Sequence, residues 1–263
     1  MEYIFLVIGF LLLIKGADLF VDGSSSLAKT LKIPTVIIGL TIVAMGTSCP
    51  ELAVSVSDSI TTLIEGGNAN VAIGNVVGSN LCNLLLVLGV SGLFGSLTAK
   101  RKIITRDFVY AIFSSLVLLI LSFSYFINSG TKGVITRTNG LILLCFLGIY
   151  LYALIGDAIK SVRTQEEKTE FNPKDIVLII VGIIGIILGG QLVVNSATDI
   201  ANMLNVSQNV IALTIVAFGT SAPELAVSVQ AILKGNSEMV IGNVVGSNIF
   251  NVLMIIGVTA LVM

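Results

Sequence analysis

The sequence predicts an all-α, polytopic membrane protein built as an inverted repeat with eight transmembrane helices. Three observations support this fold class. Of the 263 residues, 55% are hydrophobic and only 11% are charged, whereas soluble domains are about 25% charged. Eight apolar windows are each long enough to cross a hydrocarbon core of roughly 30 Å. Two nearly identical polar motifs lie on spans that must cross the membrane in opposite directions.

The eight windows follow one another with short loops between them. The first starts almost at Met1, and Glu2 stands where a signal peptide would carry a positive charge, so we assign this window as a membrane helix. The predicted spans are 3–27, 34–63, 69–97, 104–127, 136–159, 176–203, 208–233 and 238–262.

Basic residues orient these spans. The loops after the first, third, fifth and seventh spans hold eleven of the 14 Lys and Arg residues, and the opposite loops hold only Lys132 and Arg137. Cytoplasmic loops are enriched in Lys and Arg, so we expect a protein of the cell membrane with its N-terminus outside. The polar stretch 161–175 is expected to be a solvated cytoplasmic linker, and a regulatory site is the alternative.

The repeat is visible in two motifs. Residues 38–56 and 211–229 differ at three of 19 positions, and GNVVGSNLCN (74–83) matches GNVVGSNIFN (242–251) at eight of ten. The first motif lies on the second span and its copy on the seventh. Going from the second span to the seventh takes an odd number of membrane crossings, so the two copies run in opposite directions. Many secondary transporters are built in this way, and their ion sites lie where the halves meet.

The repeat also divides the chain. The first half, with five helices, is predicted over 1–160, the linker over 161–175, and the inverted second half, with three helices, over 176–263. The second half lacks counterparts of the fourth and fifth spans. We expect a truncated form, and a naturally reduced version is the alternative.

Each long motif interrupts a membrane helix with a proline and follows it with a glutamate. Pro50 and Pro223 have no N–H group to donate, and backbone carbonyls left unpaired in a membrane must be buried in protein or line a wet cavity. Glu51 and Glu224 follow directly, and a charge at the bilayer centre costs at least about 2.5–3.5 kcal/mol. Since no base lies beside either glutamate, the counter-charge is expected to be a bound cation or protons.

The candidate ligands are all oxygen atoms. Carboxylates, carbonyls, hydroxyls and amides suit Na⁺ and Ca²⁺, and not Zn²⁺ or Cu⁺. The glycines of the GNVVGSN segments are expected to permit close helix packing. The candidate site residues are Glu51, Glu224, Asn83, Asn251, Thr47, Thr220, Ser48, Ser221, Ser79, Ser247, Ala44 and Ala217.

The paired GTS-x-PE and GN-x-x-GSN-x-x-N motifs resemble the two alpha-repeats of the calcium/cation antiporter superfamily, and among its branches the prokaryotic sodium/calcium exchangers. The resemblance covers spans one to three and six to eight. It implies an exchanger fold of ten helices, two more than are predicted here, with the N-terminus outside.

The resemblance also implies roles for these residues. Glu51 and Glu224 would bind Ca²⁺ with backbone oxygens of Thr47 and Thr220. The same carboxylates would share in Na⁺ sites with Ser48, Ser79, Ser221, Ser247 and the carbonyls of Ala44 and Ala217. Sodium and calcium would therefore compete and cross in alternation. Because Asn251 stands where the potassium-dependent branch carries an acid, no K⁺ requirement is expected.

The leading functional hypothesis is exchange of Na⁺ for Ca²⁺ across the bilayer, with these ions as substrates and no cofactor. The alternatives are an H⁺/Ca²⁺ exchanger, a passive cation channel, or a fragment that does not transport. A net charge of −1 gives no basic patch for nucleic acid, and the absence of His and of any nucleophile–base pair argues against an enzyme.

Asp58, whose counterpart in the repeat is Ala231, is expected to lie outside the ion site. The oligomeric state is not predicted.

Overall fold

The computed structural model describes residues 1–65, 70–127, 135–163, 172–206 and 217–262, and the regular elements in these ranges are helices. We number them in chain order. The helices are α1 (Glu2–Thr30), α2 (Thr35–Thr47), α3 (Cys49–Glu65), α4 (Asn70–Phe94), α5 (Ile103–Ile127), α6 (Arg137–Arg163), α7 (Pro173–Met203), α8 (Ala217–Thr220), α9 (Ala222–Leu233) and α10 (Ser237–Val262). π-Helical turns lie within α2, α4, α5 and α10, at Gly39–Val43, Asn83–Val87, Ile103–Phe108 and Asn251–Ile255.

Six of the described helices, α1, α4, α5, α6, α7 and α10, are long and apolar enough to cross a membrane. The pair α2–α3 makes a seventh span if it is counted as one, and its parts are bent by 43°. The predicted count of eight is not confirmed. Helix α9 has only 12 residues, and the first part of the predicted seventh span, 208–216, lies outside the described residues. Residues 164–171 of the predicted linker also lie outside them.

The prolines explain the bend. Pro50 is the second residue of α3, and Pro223 is the second residue of α9. The first N–H groups of a helix have no partner within the helix, so a proline there removes no hydrogen bond. Each long motif therefore ends one helix and begins another, and does not kink a continuous one.

Helices α1 and α7 pack closely along their length because glycines line their interface. A Cβ added to Gly9 would lie 2.9 Å from the backbone nitrogen of Val193, and one added to Gly23 would lie 2.7 Å from the carbonyl oxygen of Asp175. Real Cβ atoms do not approach other atoms so closely, so these positions require glycine. Residues with increasing numbers on α1 contact residues with decreasing numbers on α7. The two helices are therefore antiparallel, as the inverted repeat predicts.

Glycines also bring α10 against α2. A Cβ on Gly242 would lie 2.6 Å from the carbonyl oxygen of Val36, and one on Gly246 would lie 2.9 Å from the Cα atom of Leu40. The predicted close approach is therefore confirmed for the second copy. A Cβ added to Gly74 or Gly78 of the first copy would have no described atom of a neighbouring element within 4 Å. The counterpart of this α2 segment lies outside the described residues.

The two copies have different surroundings. Helices α5 and α6 pack on α10, where 83% of the apolar window is buried, but only 28% of the α4 window is buried. Leu253 of α10 is fully buried, whereas its counterpart in α4, Leu85, is 73% exposed. Similar sequences are thus placed in a core in one half and at the surface in the other.

Candidate functional site

The candidate site lies where the two breaks meet α4 and α10. Of the twelve residues predicted from the sequence, eleven are buried. For the twelfth, Ala217, only the backbone is described, at the start of α8. Buried polar groups in a membrane protein are functional candidates because they are costly to keep.

Both glutamates are fully buried and hydrogen-bonded on one side only. Ser79 donates to Oε1 of Glu51 at 3.4 Å, and Ser48 donates to Oε1 of Glu224 at 3.3 Å. Ser48 belongs to the first motif and Glu224 to the second, so the halves meet here. The Oε2 atoms of both carboxyl groups are buried and have no hydrogen-bond partner.

Two asparagines provide a second pair of unpartnered oxygens. Asn83 donates from Nδ2 to Oδ1 of Asn248 at 3.1 Å, and Asn251 donates from Nδ2 to Oδ1 of Asn80 at 3.0 Å. These bonds correspond to each other in the repeat. They use the nitrogens of Asn83 and Asn251 and leave both Oδ1 atoms buried without a partner.

Asn83 and Asn251 each begin a π-helical turn of their helix. Such turns are frequent at functional sites. The repeat therefore carries the same local distortion as well as the same residue. Four of the unpartnered atoms, Oε2 of Glu51 and Glu224 and Oδ1 of Asn83 and Asn251, are called the four-oxygen set below; the buried hydroxyl of Ser221 at the second break has no hydrogen-bond partner either.

Hydroxyl groups surround the first break. Thr47 donates to Oδ1 of Asn243 at 3.1 Å and lies 3.4 Å from the hydroxyl of Ser247. The carbonyl of Ala44 accepts from the backbone of Ser48 at 3.0 Å and lies 3.5 Å from the Ser247 hydroxyl. The Ala44 carbonyl is therefore already engaged with protein donors. Thr220 and Ser221 are buried at the second break.

Sequence reasoning missed a pair of asparagines that hold the glutamate helices in place. Asn75 donates to the hydroxyl of Ser55 at 3.1 Å and to the backbone carbonyl of Glu51 at 3.3 Å. Asn243 makes the same two bonds, to Ser228 at 3.0 Å and to the carbonyl of Glu224 at 3.4 Å. The available signal was the repeat itself, which retains both the asparagine and the serine.

The described residues provide no base to neutralise the glutamates. Lys15, the one base within the first predicted span, has a side chain that is 77% exposed and lies 3.8 Å from Asp18. The described part of the chain also contains no group of three or more His, Cys, Asp and Glu side chains placed to hold a metal. Any cation here would therefore be held by two carboxylates together with amide, hydroxyl and carbonyl oxygens, a set suited to Na⁺ or Ca²⁺.

The chain matches the family model described as sodium/calcium exchanger protein over residues 1–156 and 174–263. The chain belongs to the sodium/calcium exchanger family. This exchanger is 35% identical to a putative antiporter, CaxA, of Alkalimonas amylolytica, over 98% of the chain and 80% of that protein. It is 29% identical to the sodium/calcium exchanger MaX1 of Methanosarcina acetivorans, over 99% of the chain and 83% of that protein.

The fold is also similar to that of a solved exchanger structure. The exchanger superposes on the sodium-calcium exchanger NCX_Mj soaked with 2.5 mM Na⁺ and 1 mM Sr²⁺ with a TM-score of 0.83 and 33% identity, covering 100% of the chain and 82% of that chain. The inverted-repeat exchanger fold expected from the sequence is therefore confirmed. The relatives are named as antiporters and exchangers, so the protein is a membrane transporter that belongs with the cation/Ca²⁺ exchangers. The expectation that it is not an enzyme is confirmed by the same relatives.

Proposed function

We propose that this protein is a secondary antiporter that exchanges Na⁺ for Ca²⁺ by alternating access. The four-oxygen set is the observation that supports the proposal. Two buried carboxylates, one from each half, have no base beside them among the described residues, so they need a cation whenever both are ionised. Two amide oxygens complete a set in which every ligand is oxygen.

The two ions would compete for the same carboxylates. Ca²⁺ would be held by Glu51 and Glu224 with amide and backbone oxygens, and Na⁺ ions would share those carboxylates with the serine hydroxyls. The site would therefore hold one kind of ion at a time. This competition couples the two fluxes, because one ion must leave before the other can bind.

The proposed topology follows the sequence. Residues 1–160 and 176–263 form the two inverted halves, joined by a cytoplasmic linker at 161–175, and the N-terminus lies outside. The Ala44 and Ala217 carbonyls and the backbone oxygens of Thr47 and Thr220 would line the site at the two breaks.

The test is uptake of ⁴⁵Ca²⁺ into proteoliposomes loaded with Na⁺ and diluted into Na⁺-free or Na⁺-matched buffer. We expect uptake only with the outward Na⁺ gradient, and its loss in Glu51→Gln. The matched control is Asp58→Asn, which removes a carboxylate from the same helix seven residues later and is expected to keep Na⁺-dependent uptake.

H⁺/Ca²⁺ exchange is the second candidate, because protons would neutralise the two carboxylates as well as a cation would. Uptake that follows an imposed pH gradient and ignores Na⁺ would replace the first proposal with this one. Uptake without either gradient that is still lost in Glu51→Gln would indicate a passive channel. No uptake by well-folded protein would contradict transport by this chain.

A further inference from the structure

The repeat relates two helix interfaces that the structure packs differently. Helix α1 packs along α9, and the repeat relates this pair to α7 and α3. The sequences correspond at a separation of 173 residues, so GADLFVD (16–22) on α1 aligns with GGQLVVN (189–195) on α7. A symmetric molecule would close both interfaces equally.

The α1–α9 interface is closed. Val21 of α1 and Val227 of α9 are both fully buried in one apolar cluster. Just beyond the end of α9, Lys234 Nζ lies 2.6 Å from Oδ1 of Asp18 and 2.7 Å from Oδ1 of Asp22, and it donates to the carbonyl of Asp18 at 2.9 Å. Lys15 also faces Asp18, but at 3.8 Å.

The corresponding α7–α3 interface is open. A cavity of about 360 Å³ separates the two helices and reaches the break at Thr220. Gln191 and Asn195, the counterparts of Asp18 and Asp22, line this cavity. Val54 also lines it and is 38% exposed. Its counterpart Val227 is fully buried.

The two interfaces also differ in sequence. The counterpart of Lys234 is Thr61, so the open side has neither the ammonium group nor the two carboxylates. Burial by itself would lower the pKa of the Lys234 amine, but hydrogen bonds to Asp18 and Asp22 outweigh burial and raise it. The ammonium is therefore charged at neutral pH and can form both ion pairs.

We propose that Lys234, by binding Asp18 and Asp22, is a gating residue that holds the α1–α9 side of the ion site closed. The site opens toward the end of α9 only when these ion pairs break. By the loop-charge prediction, this is the cytoplasmic side. Lys234 does not touch the four-oxygen set, so it acts by setting which side is accessible. The inference rests on the proposed alternating access, since only a site with two access states needs such a gate.

The test measures accessibility directly. In a background with the three cysteines replaced by alanine, Val227→Cys is the reporter of the closed side and Val54→Cys that of the open side. Purified protein is treated with a charged, water-soluble thiol reagent, and the labelling rate is measured. With the native Lys234 we expect fast labelling at position 54 and slow labelling at position 227.

Lys234→Gln should raise the labelling rate at position 227 by at least about fivefold, the lower range of coupling between two conformational states. Lys234→Arg keeps the charge and should keep labelling slow. Lys100→Gln is the matched control, because it removes the 2.8 Å ion pair with Glu238, which does not involve α1, and should change nothing.

Unchanged labelling at position 227 in Lys234→Gln, in protein that remains monodisperse, would overturn the gate. The labelling assay needs no transport, so the two proposals can fail separately. A gate effect on labelling without any ⁴⁵Ca²⁺ uptake would keep the gate and reject the transport function. Na⁺-dependent uptake with no effect on labelling would do the reverse.

Discussion

Asn243 joins both halves of the candidate site, and its replacement by alanine offers a quantitative test of the structure. The side chain is fully buried and takes part in three hydrogen bonds. It donates to Ser228 at 3.0 Å and to the Glu224 carbonyl at 3.4 Å, and it accepts from Thr47 at 3.1 Å. Its counterpart Asn75 makes the two corresponding donations.

The magnitude follows from this count. A hydrogen bond inside a membrane protein contributes about 0.6–1 kcal/mol, so Asn243→Ala should lower the free energy of unfolding by about 2–3 kcal/mol and Asn75→Ala by about 1–2 kcal/mol. For a chain of this size, about 1 kcal/mol shifts the melting temperature by roughly 2–4 °C. Asn243→Ala should therefore melt about 2–4 °C below Asn75→Ala.

The assay is thermal unfolding of detergent-purified protein, followed by circular dichroism or by thiol exposure, with all variants in the same buffer. The control is Asn139→Ala on α6, away from the site, which should melt as the unmodified protein does. Equal melting of Asn243→Ala and Asn75→Ala, or melting in the reverse order, would refute the bond from Thr47 and the packing of α2 on α10.

Two further predictions follow from the interface between α1 and α7 and from the site amides. A Cβ on Gly16 would lie 2.7 Å from the backbone nitrogen of Ile186, so Gly16→Ala should lower the melting temperature, whereas Gly148→Ala, with no described atom within 4 Å, should not. If both variants melt alike, the close packing of these helices is wrong. Because Asn251 is an amide and not an acid, adding K⁺ to both sides of the proteoliposomes should leave Na⁺-dependent ⁴⁵Ca²⁺ uptake unchanged, and a requirement for K⁺ would contradict this.

Much of the candidate site could be predicted because the repeat retains it. The two glutamates, the serines of both motifs and the paired asparagines occur at matching positions, and eleven of the twelve predicted residues are buried in the structure. The roles of Asn75 and Asn243 were missed for a physical reason. Both side chains bind groups on another helix, and a helix pattern alone does not tell which neighbour an amide will meet.

The helix count shows the limit of hydropathy. The window 208–233 is apolar enough to suggest a full span, but in the part of the chain that the structure describes α9 has 12 residues. Pro223 is the second residue of this helix, so the apolar run continues through a change of helix. Hydropathy measures how apolar a segment is and does not register where its helices begin and end.

The sequence by itself determined the membrane class, the two proline breaks, the opposite directions of the two halves and the glutamates they carry. All of these depend on composition or on the parity of the spans, which are properties of the chain. The tertiary structure decided which oxygens of the site remain unpartnered and which side of the site is closed. Those depend on contacts between helices far apart in sequence. Two nearly identical motifs thus acquire different neighbours, with α10 covered and α4 exposed, and with Lys234 closing one interface while a cavity remains at the other.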